Sequence, residues 1–294
     1  MKAGFIGAGR WALALALKLY EKGLTVALYE PDGQALARLL ATRHHPDLPE
    51  SVPVPEAITV SSDPAIVLDR SDITVFATPS AVLASAAERV KPLLSSFCQV
   101  IVSVTKGIDP ETKKRFSVVL KEHLPGPPVV VLAGPGIPYE VADGDPTSLV
   151  AVSEDESAAR LVRDTFTVRN LRVYSHTDVV GVEIAAAFKN VIAIAAGIAD
   201  GIGLGINAKS ALLTRGLAEI TRLGLALNAN PLTFAGLAGM GDLIVTAFSE
   251  RSRNHRLGMA IGRGIPPETA LKQLGGVAGS GLRRRSVHLF RGEP

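Results

Sequence analysis

The run Gly7-Ala8-Gly9-Arg10-Trp11-Ala12, directly after the apolar stretch Ala3–Ile6, is the feature that most restricts what this chain can fold into. Gly7 suits a tight turn, Gly9 lets the backbone come close to a pyrophosphate, and the small Ala12 lets the next helix pack closely on the strand before it. The N-terminus of that helix would present free backbone N–H groups, which favour a phosphate. Glu30 falls at the end of the second apolar run, 21 residues after Gly9. Glycine turn, helix and distant carboxylate together fit a dinucleotide-binding unit. A carboxylate there accepts hydrogen bonds from a ribose 2′-hydroxyl and repels a 2′-phosphate, so Glu30 mildly favours NAD over NADP. Arg10 argues partly the other way, since its guanidinium can pair with a phosphate, lie across the adenine or sit in solvent.

Up to about residue 175, short aliphatic runs alternate with helix-like segments, the pattern of a parallel sheet covered by helices. The expected strands are Ala3–Ile6, Thr25–Tyr29, Ile58–Val60, Ile73–Ala77, Val100–Ser103, Val129–Ala133, Ser148–Val152 and Leu171–Tyr174. The expected helices are Ala12–Glu21, Gly33–Thr42, Val82–Pro92, Glu111–Glu122 and Glu156–Phe166, with Arg43–Glu56 as a proline-rich loop. After Asp178 the chain changes to long Ala/Leu/Ile-rich segments, Val179–Asp200 and Ala208–Leu227, which read as a helical bundle. The expected fold is therefore α/β: a Rossmann-like, parallel-dominated sheet domain over 1–177 and an all-α domain over 178–294.

Composition narrows the function. With 47% hydrophobic and only 5% aromatic residues, the chain suits an aliphatic core and argues against a stacking-based nucleic-acid binder. The net charge is +3, with an acidic first half and a basic second half. The basic clusters Arg251, Arg253, His255, Arg256 and Arg283, Arg284, Arg285, His288, Arg291 have no nucleic-acid recognition motif beside them, so no nucleic-acid partner is expected. No run of about 18 uncharged apolar residues occurs, so no membrane insertion is expected. His44 and His45 lack any paired ligand motif, and no metal site is expected. Cys98 is the sole cysteine and reads as inert core in a reducing compartment, which places the protein in the cytoplasm.

Lys189 stands in Glu183-Ile-Ala-Ala-Ala-Phe-Lys-Asn-Val-Ile-Ala-Ile-Ala-Ala-Gly, an otherwise almost wholly apolar segment. A lysine there is costly unless it is paired or its pKa is lowered, as at catalytic bases. The other reading is a lysine that snorkels to the surface from the helix edge.

Several runs carry a resemblance across both parts of the chain. They are Pro79-Ser80, Thr105-Lys106-Gly107, Ala133-Gly134-Pro135 with Glu140, Val182-Glu183, and Phe188-Lys189-Asn190-Val191. They continue with Gly197–Gly205, Asn207, Lys209, Leu213–Glu219, Gly239-Met-Gly-Asp-Leu243 and Ser252-Arg-Asn254. Together they resemble bacterial NAD(P)-dependent glycerol-3-phosphate dehydrogenase. The resemblance implies NAD or NADP as cofactor, dihydroxyacetone phosphate and sn-glycerol 3-phosphate as substrate pair, a role in glycerophospholipid synthesis, and a homodimer. It implies Lys189 as general acid/base, Asp242 as the group that orients Lys189 or bonds substrate, and Lys106 as stabiliser of oxyanion charge. Taken alone, Asp242 also fits a helix N-cap. By the same resemblance Thr246, Asn190, Gly134 and Gly136 lie near substrate. Ser252, Arg253 and Asn254 would hold its phosphate, for which a guanidinium and an amide supply directed donors. Arg10, Trp11, Pro79, Lys106, Pro138, Arg253 and Val277 would approach the cofactor.

The chain departs from the family pattern at Ala12, at Ala81 and at Gly136-Ile-Pro-Tyr139. After Val277 it reads Ala-Gly-Ser-Gly-Leu-Arg-Arg-Arg where the family continues Val-Glu-Gly, and Gly279 replaces a cofactor-contacting glutamate. The sequence stops a few tens of residues short of the family, from which reduced stability or weaker cofactor binding is expected. Two other functions fit the same residues: a related two-domain hydroxyacid or sugar-acid dehydrogenase, and a catalytically impaired dinucleotide-binding relative.

Overall fold

In the computed structural model, which describes residues 1–274, eight strands form one sheet. They are β1 (Lys2–Ile6), β2 (Thr25–Tyr29), β3 (Thr59–Ser61), β4 (Ile73–Phe76), β5 (Val100–Ser103), β6 (Val129–Ala133), β7 (Thr147–Val152) and β8 (Leu171–His176). Their spatial order is β3-β2-β1-β4-β5-β6-β7-β8, and every pairing is parallel except β6 with β7. The central strands β4, β5 and β6 are buried along their whole length, as strands covered on both faces must be. Edge strand β8 alternates instead, and its exposed Arg172 lies over the Tyr174 ring, which keeps a charge on the open edge.

The covering helices are α1 (Arg10–Glu21), α2 (Gly33–Thr42), α3 (Pro64–Leu68), α4 (Leu83–Val90), α5 (Phe116–His123), α6 (Pro138–Asp143) and α7 (Glu156–Phe166). Asp32, Asp63 and Asp155 cap α2, α3 and α7 through their carboxylates. Helix α1 is buried from Ala12 to Leu19, and each fully buried leucine there contributes about 1.5–3 kcal/mol. Lys18 within that run is held by Glu21 at 2.9 Å.

By contact, Met1–Thr105 and Phe116–Val179 form one unit, and Lys106–Arg115 joins the chain from Val180 onward in a second. The helix expected over Glu111–Glu122 begins only at Phe116. Ahead of it, the Asp109 carboxylate accepts the Thr112 N–H and hydroxyl, Lys113 takes φ 60°, and Ile108 bridges Arg115. Local turn chemistry at Asp109-Pro110 thus overrides a charged, helix-compatible composition.

The second unit holds α8 (Val179–Gly201), α9 (Ile206–Ala226), α10 (Pro231–Ala235), α11 (Asp242–Phe248), α12 (Arg253–Gly262) and α13 (Pro267–Gln273). Their apolar faces meet in small clusters, such as Ile184, Ala185, Ile220 and Phe234, or Ala196, Leu213, Leu243 and Ala247. By mean hydropathy, 1.8 over its best window, α8 is long and apolar enough to cross a membrane, although 61% of that window is buried. A core helix of a globular unit has the same composition. Val277, named above for the cofactor, and the divergent segment after it lie outside the described residues.

Candidate active site: a glycine turn and a lysine pair on one carboxylate

In the first unit, the turn after β1 stands where the strand order reverses, between β1 and β4. Ligands of open α/β sheets bind beyond the carboxyl ends of the strands at such a point. Gly7 takes φ +115°, and a Cβ there would stand 2.7 Å from the Ala77 carbonyl oxygen, so only glycine fits. Gly9 has open space where its Cβ would be. It precedes α1, whose first turn has no side-chain cap and no acidic residue. That end of the helix fits a pyrophosphate: room at Gly9 and uncapped N–H groups behind it. Ala12 is 1% exposed and packs in the core beneath.

Glu30, at the end of β2, is half-buried, and its Oε1 accepts the Asp32 N–H at 3.0 Å. Burial pushes the Glu30 carboxyl up, the Asp32 N–H pulls it down, and the Asp32 charge raises it again, with a net rise. Arg10 Nη1 lies 3.8 Å from Asp47 Oδ2, so its charge is directed to the loop after α2. Pro79 is exposed just beyond β4. After β6, Gly134 takes φ +135° with Leu149 and Ser148 close by, and a Cβ on Gly136 would stand 2.7 Å from the Trp11 ring. Trp11 Nε1 is buried without a hydrogen-bond partner among the described residues. Pro138 opens α6.

In the second unit, Asp242 is the first residue of α11 and is 1% exposed. The N-cap position of α11 belongs to Gly241, and the Asp242 carboxylate binds two lysines. Oδ1 accepts Lys189 Nζ at 2.5 Å and Oδ2 accepts Lys106 Nζ at 2.7 Å. Lys189 Nζ also reaches Thr246 Oγ1 at 2.6 Å, and that hydroxyl donates to the Asp242 carbonyl at 2.6 Å. Of the two readings of Lys189, the structure excludes the snorkelling one, because the side chain is 6% exposed. Burial lowers its pKa, Asp242 opposes, and the Lys106 charge lowers it further, which leaves it at about 7. A lysine near neutrality can both give and take a proton at physiological pH.

Lys106 is carried on the short hairpin that joins the second unit, and Arg115 at its far end pairs with buried Glu183 of α8 at 2.8 Å. Sequence reading missed this pair, whose members lie 68 residues apart. It also missed the π-turn Leu237–Gly241 that leads into Asp242. A Cβ on Gly239 would stand 2.2 Å from the Phe234 carbonyl oxygen, so the turn requires a glycine.

Beside the lysines, Asn190 Oδ1 accepts from Asn254 Nδ2 at 2.7 Å, and Asn254 Oδ1 is buried with no partner among the described residues. Ser252 caps α12 by accepting the His255 N–H, and Arg253 Nη2 donates to the Leu274 carbonyl at 3.1 Å. The structure thus brings Lys106, Asp242, Lys189 and Thr246 into one network and pairs Asn190 with Asn254, with Ser252 and Arg253 at the same helix start. Among the described residues, no cluster of His, Cys, Asp and Glu could hold a metal ion.

A doubly wound sheet with this turn at its reversal point, joined to a helical unit with a buried near-neutral lysine, defines a two-domain nicotinamide-dinucleotide dehydrogenase. Residues 2–159 match the family described as NAD-dependent glycerol-3-phosphate dehydrogenase N-terminus, and residues 178–289 match its C-terminus. The chain belongs to this glycerol-3-phosphate dehydrogenase family. A relative from Thermoanaerobacter sp., named glycerol-3-phosphate dehydrogenase [NAD(P)+], is 44% identical over 94% of this chain and 82% of its own. One from Salinibacter ruber with the same activity in its name is 46% identical over 92% and 80%. A crystal structure of glycerol-3-phosphate dehydrogenase from Coxiella burnetii superposes with a TM-score of 0.90 at 34% identity, over 96% of this chain and 86% of that one.

Proposed function

We propose that the protein interconverts dihydroxyacetone phosphate and sn-glycerol 3-phosphate with NAD or NADP, and that Lys189 is its general acid/base. The observation that carries this reading is Lys189 itself, buried, held by Asp242 and Thr246, and lowered to about 7. When bound, the nicotinamide supplies or accepts the hydride. Lys189 Nζ gives a proton to the carbonyl oxygen during reduction and takes it back from the hydroxyl during oxidation. Asp242 keeps Nζ in place, and Lys106, on the other carboxylate oxygen, stabilises negative charge that develops on the substrate oxygen. Ser252, Arg253, Asn254 and Asn190 hold the phosphate, with Gly134 and Gly136 close to substrate.

Gly7, Gly9 and the α1 N-terminus would hold the pyrophosphate, with Ala12, Arg10, Trp11, Pro79, Pro138, Lys106 and Arg253 about the rest of the cofactor. Glu30 and the pairing of Arg10 with Asp47 support a mild preference for NAD. The product feeds glycerophospholipid synthesis, and we place the enzyme in the cytoplasm as a homodimer. The test is oxidation of NADH and NADPH with dihydroxyacetone phosphate, beside unphosphorylated dihydroxyacetone and a Lys189→Ala control. Turnover that requires both the phosphate and Lys189 is expected; turnover that survives without Lys189 would overturn the assignment.

A further inference from the structure

Three charged or ionisable side chains, two of them buried, form a second node, apart from the lysine network. Asp200, at the C-terminal end of α8, accepts His255 Nε2 and Lys209 Nζ on the same oxygen, each at 2.6 Å. His255 is 2% exposed and Lys209 is 5% exposed. Desolvation pushes the Asp200 carboxyl up, but the hydrogen bonds from Lys209 and His255 outweigh it and hold it below the ordinary range. Lys209 Nζ also stands 4.2 Å from the centre of the Phe248 ring. Phe248 closes α11, the helix that begins with Asp242 and carries Thr246.

The node lies beside an unusually close helix crossing. A Cβ on Gly197 would meet the His255 carbonyl oxygen at 2.1 Å, and one on Gly258 would meet the Ile194 carbonyl oxygen at 2.0 Å. Gly201 and Gly262 face each other one turn further on. Backbone packed on backbone fixes the distance between α8 and α12, and Ile194 and Leu257 share one apolar cluster beside the crossing. Two polar tethers add direction to that contact, one on either side of the crossing. Asn254 bonds Asn190, and its neighbour His255 bonds Asp200, about 15 Å further along α8.

We propose that the Asp200–His255–Lys209 node is a positioning device that sets the orientation of the first turn of α12, and with it Arg253 and Asn254, for the substrate phosphate. The inference rests on the functional reading above. His255 acts through its chain neighbours and touches no substrate. Its backbone N–H is fixed by Ser252 and its ring by Asp200, so the turn is held at both ends. Lys209 keeps Asp200 ionised and links the node through Phe248 to α11. One carboxylate outside the site therefore ties together the three helices that carry Lys189, Asp242 and Arg253.

The test compares His255→Leu, His255→Gln and Asp200→Asn in the full chain. Loss of one hydrogen bond to a charged group should raise KM for dihydroxyacetone phosphate about tenfold in His255→Leu. Its kcat should stay within about threefold, and KM for NADH and kcat/KM for unphosphorylated dihydroxyacetone should not change. Glutamine retains an N–H donor near the Nε2 position and should restore KM to within about threefold of wild type. Asp200→Asn, which keeps the shape and loses the charge, should show the same split as leucine and serves if His255→Leu does not fold. Calorimetric binding of glycerol 3-phosphate should weaken in parallel. An unchanged KM in a folded variant, or an equal loss with the unphosphorylated substrate, overturns the inference and leaves the functional reading standing. A wild-type chain that neither turns over dihydroxyacetone phosphate nor binds glycerol 3-phosphate overturns both.

Discussion

Asp242 holds Lys189 at 2.5 Å while its other oxygen holds Lys106, so one carboxylate 1% exposed to solvent carries two ammonium groups. Two cations share one anion there, Lys189 buried and Lys106 partly open to solvent. Desolvation first, and the Lys106 charge after it, bring the Lys189 pKa down to about 7 in spite of the ion pair with Asp242.

The pH dependence follows in sign from this value. On the proposed role of Lys189, oxidation of glycerol 3-phosphate needs the neutral amine, so its kcat/KM should rise through an ionisation near pH 7 and level off above it. Reduction needs the ammonium and should fall over the same range. In Asp242→Asn the charge that raises Lys189 is lost, and the inflection should move about 1–3 pH units to the acid side. Profiles measured in both directions check this, and an inflection that does not move would contradict it.

Replacing Lys189 with Met should lower kcat by about 10²–10⁴-fold without weakening the fold. Lys189 loses its proton more readily folded, at about 7, than unfolded, at the ordinary 10.5. Between these values the unfolded chain binds more protons, so stability rises with pH across that window and the cost of the lysine is complete below it. Asp242 keeps Lys106 as a partner in the variant. Thermal melts should show the methionine variant more stable at pH 6, by about 1–4 kcal/mol, with the difference shrinking toward pH 10.

Gly239→Ala tests the turn before Asp242. Its Cβ would stand 2.2 Å from the Phe234 carbonyl oxygen and 2.5 Å from the Phe234 Cα, so backbone has to move. A loss of about 1–3 kcal/mol is expected in denaturant titration, with reduced kcat because the displaced turn carries Asp242. Native stability in the variant would show that the turn can yield.

Cofactor choice is tested at Glu30. With the carboxylate replaced in Glu30→Ser, the NADPH to NADH ratio of kcat/KM should rise about fivefold to tenfold, the scale of one partly screened like-charge contact. An unchanged ratio would remove Glu30 from the discrimination.

Much of the fold was legible because its signals are local. The glycine turn, the alternation of aliphatic runs with helices and the change of pattern after Asp178 all appear in the structure as the sequence suggests. Lys189 stood out because a charge in an apolar helix needs a partner. The partner itself, Asp242, lies 53 residues away and could be named only through family resemblance. Where nearby residues misled, competing local chemistry was responsible: Asp109-Pro110 made a turn in which five residues of a helix had been expected. Asp200, Lys209 and His255 gave no signal at all as a group. Each is an ordinary polar residue at a helix end or face, and only the crossing of α8 and α12 brings 200 and 255 together.

The composition of α8 also bears on how the chain is made. A 23-residue segment whose best window has mean hydropathy 1.8 leaves the ribosome before α9, α11 and α12, the helices that later pack on it. Until residue 262 has emerged, the native cover of this segment is incomplete, and its open apolar face meets either a chaperone or another apolar surface. Glu183 and Lys189 make it a poor substrate for insertion into lipid during that interval. The charges that Asp242 and Arg115 pair in the folded chain thus also bear on its synthesis, and chains arrested near residue 205 should be far more protease-sensitive than chains arrested after 274.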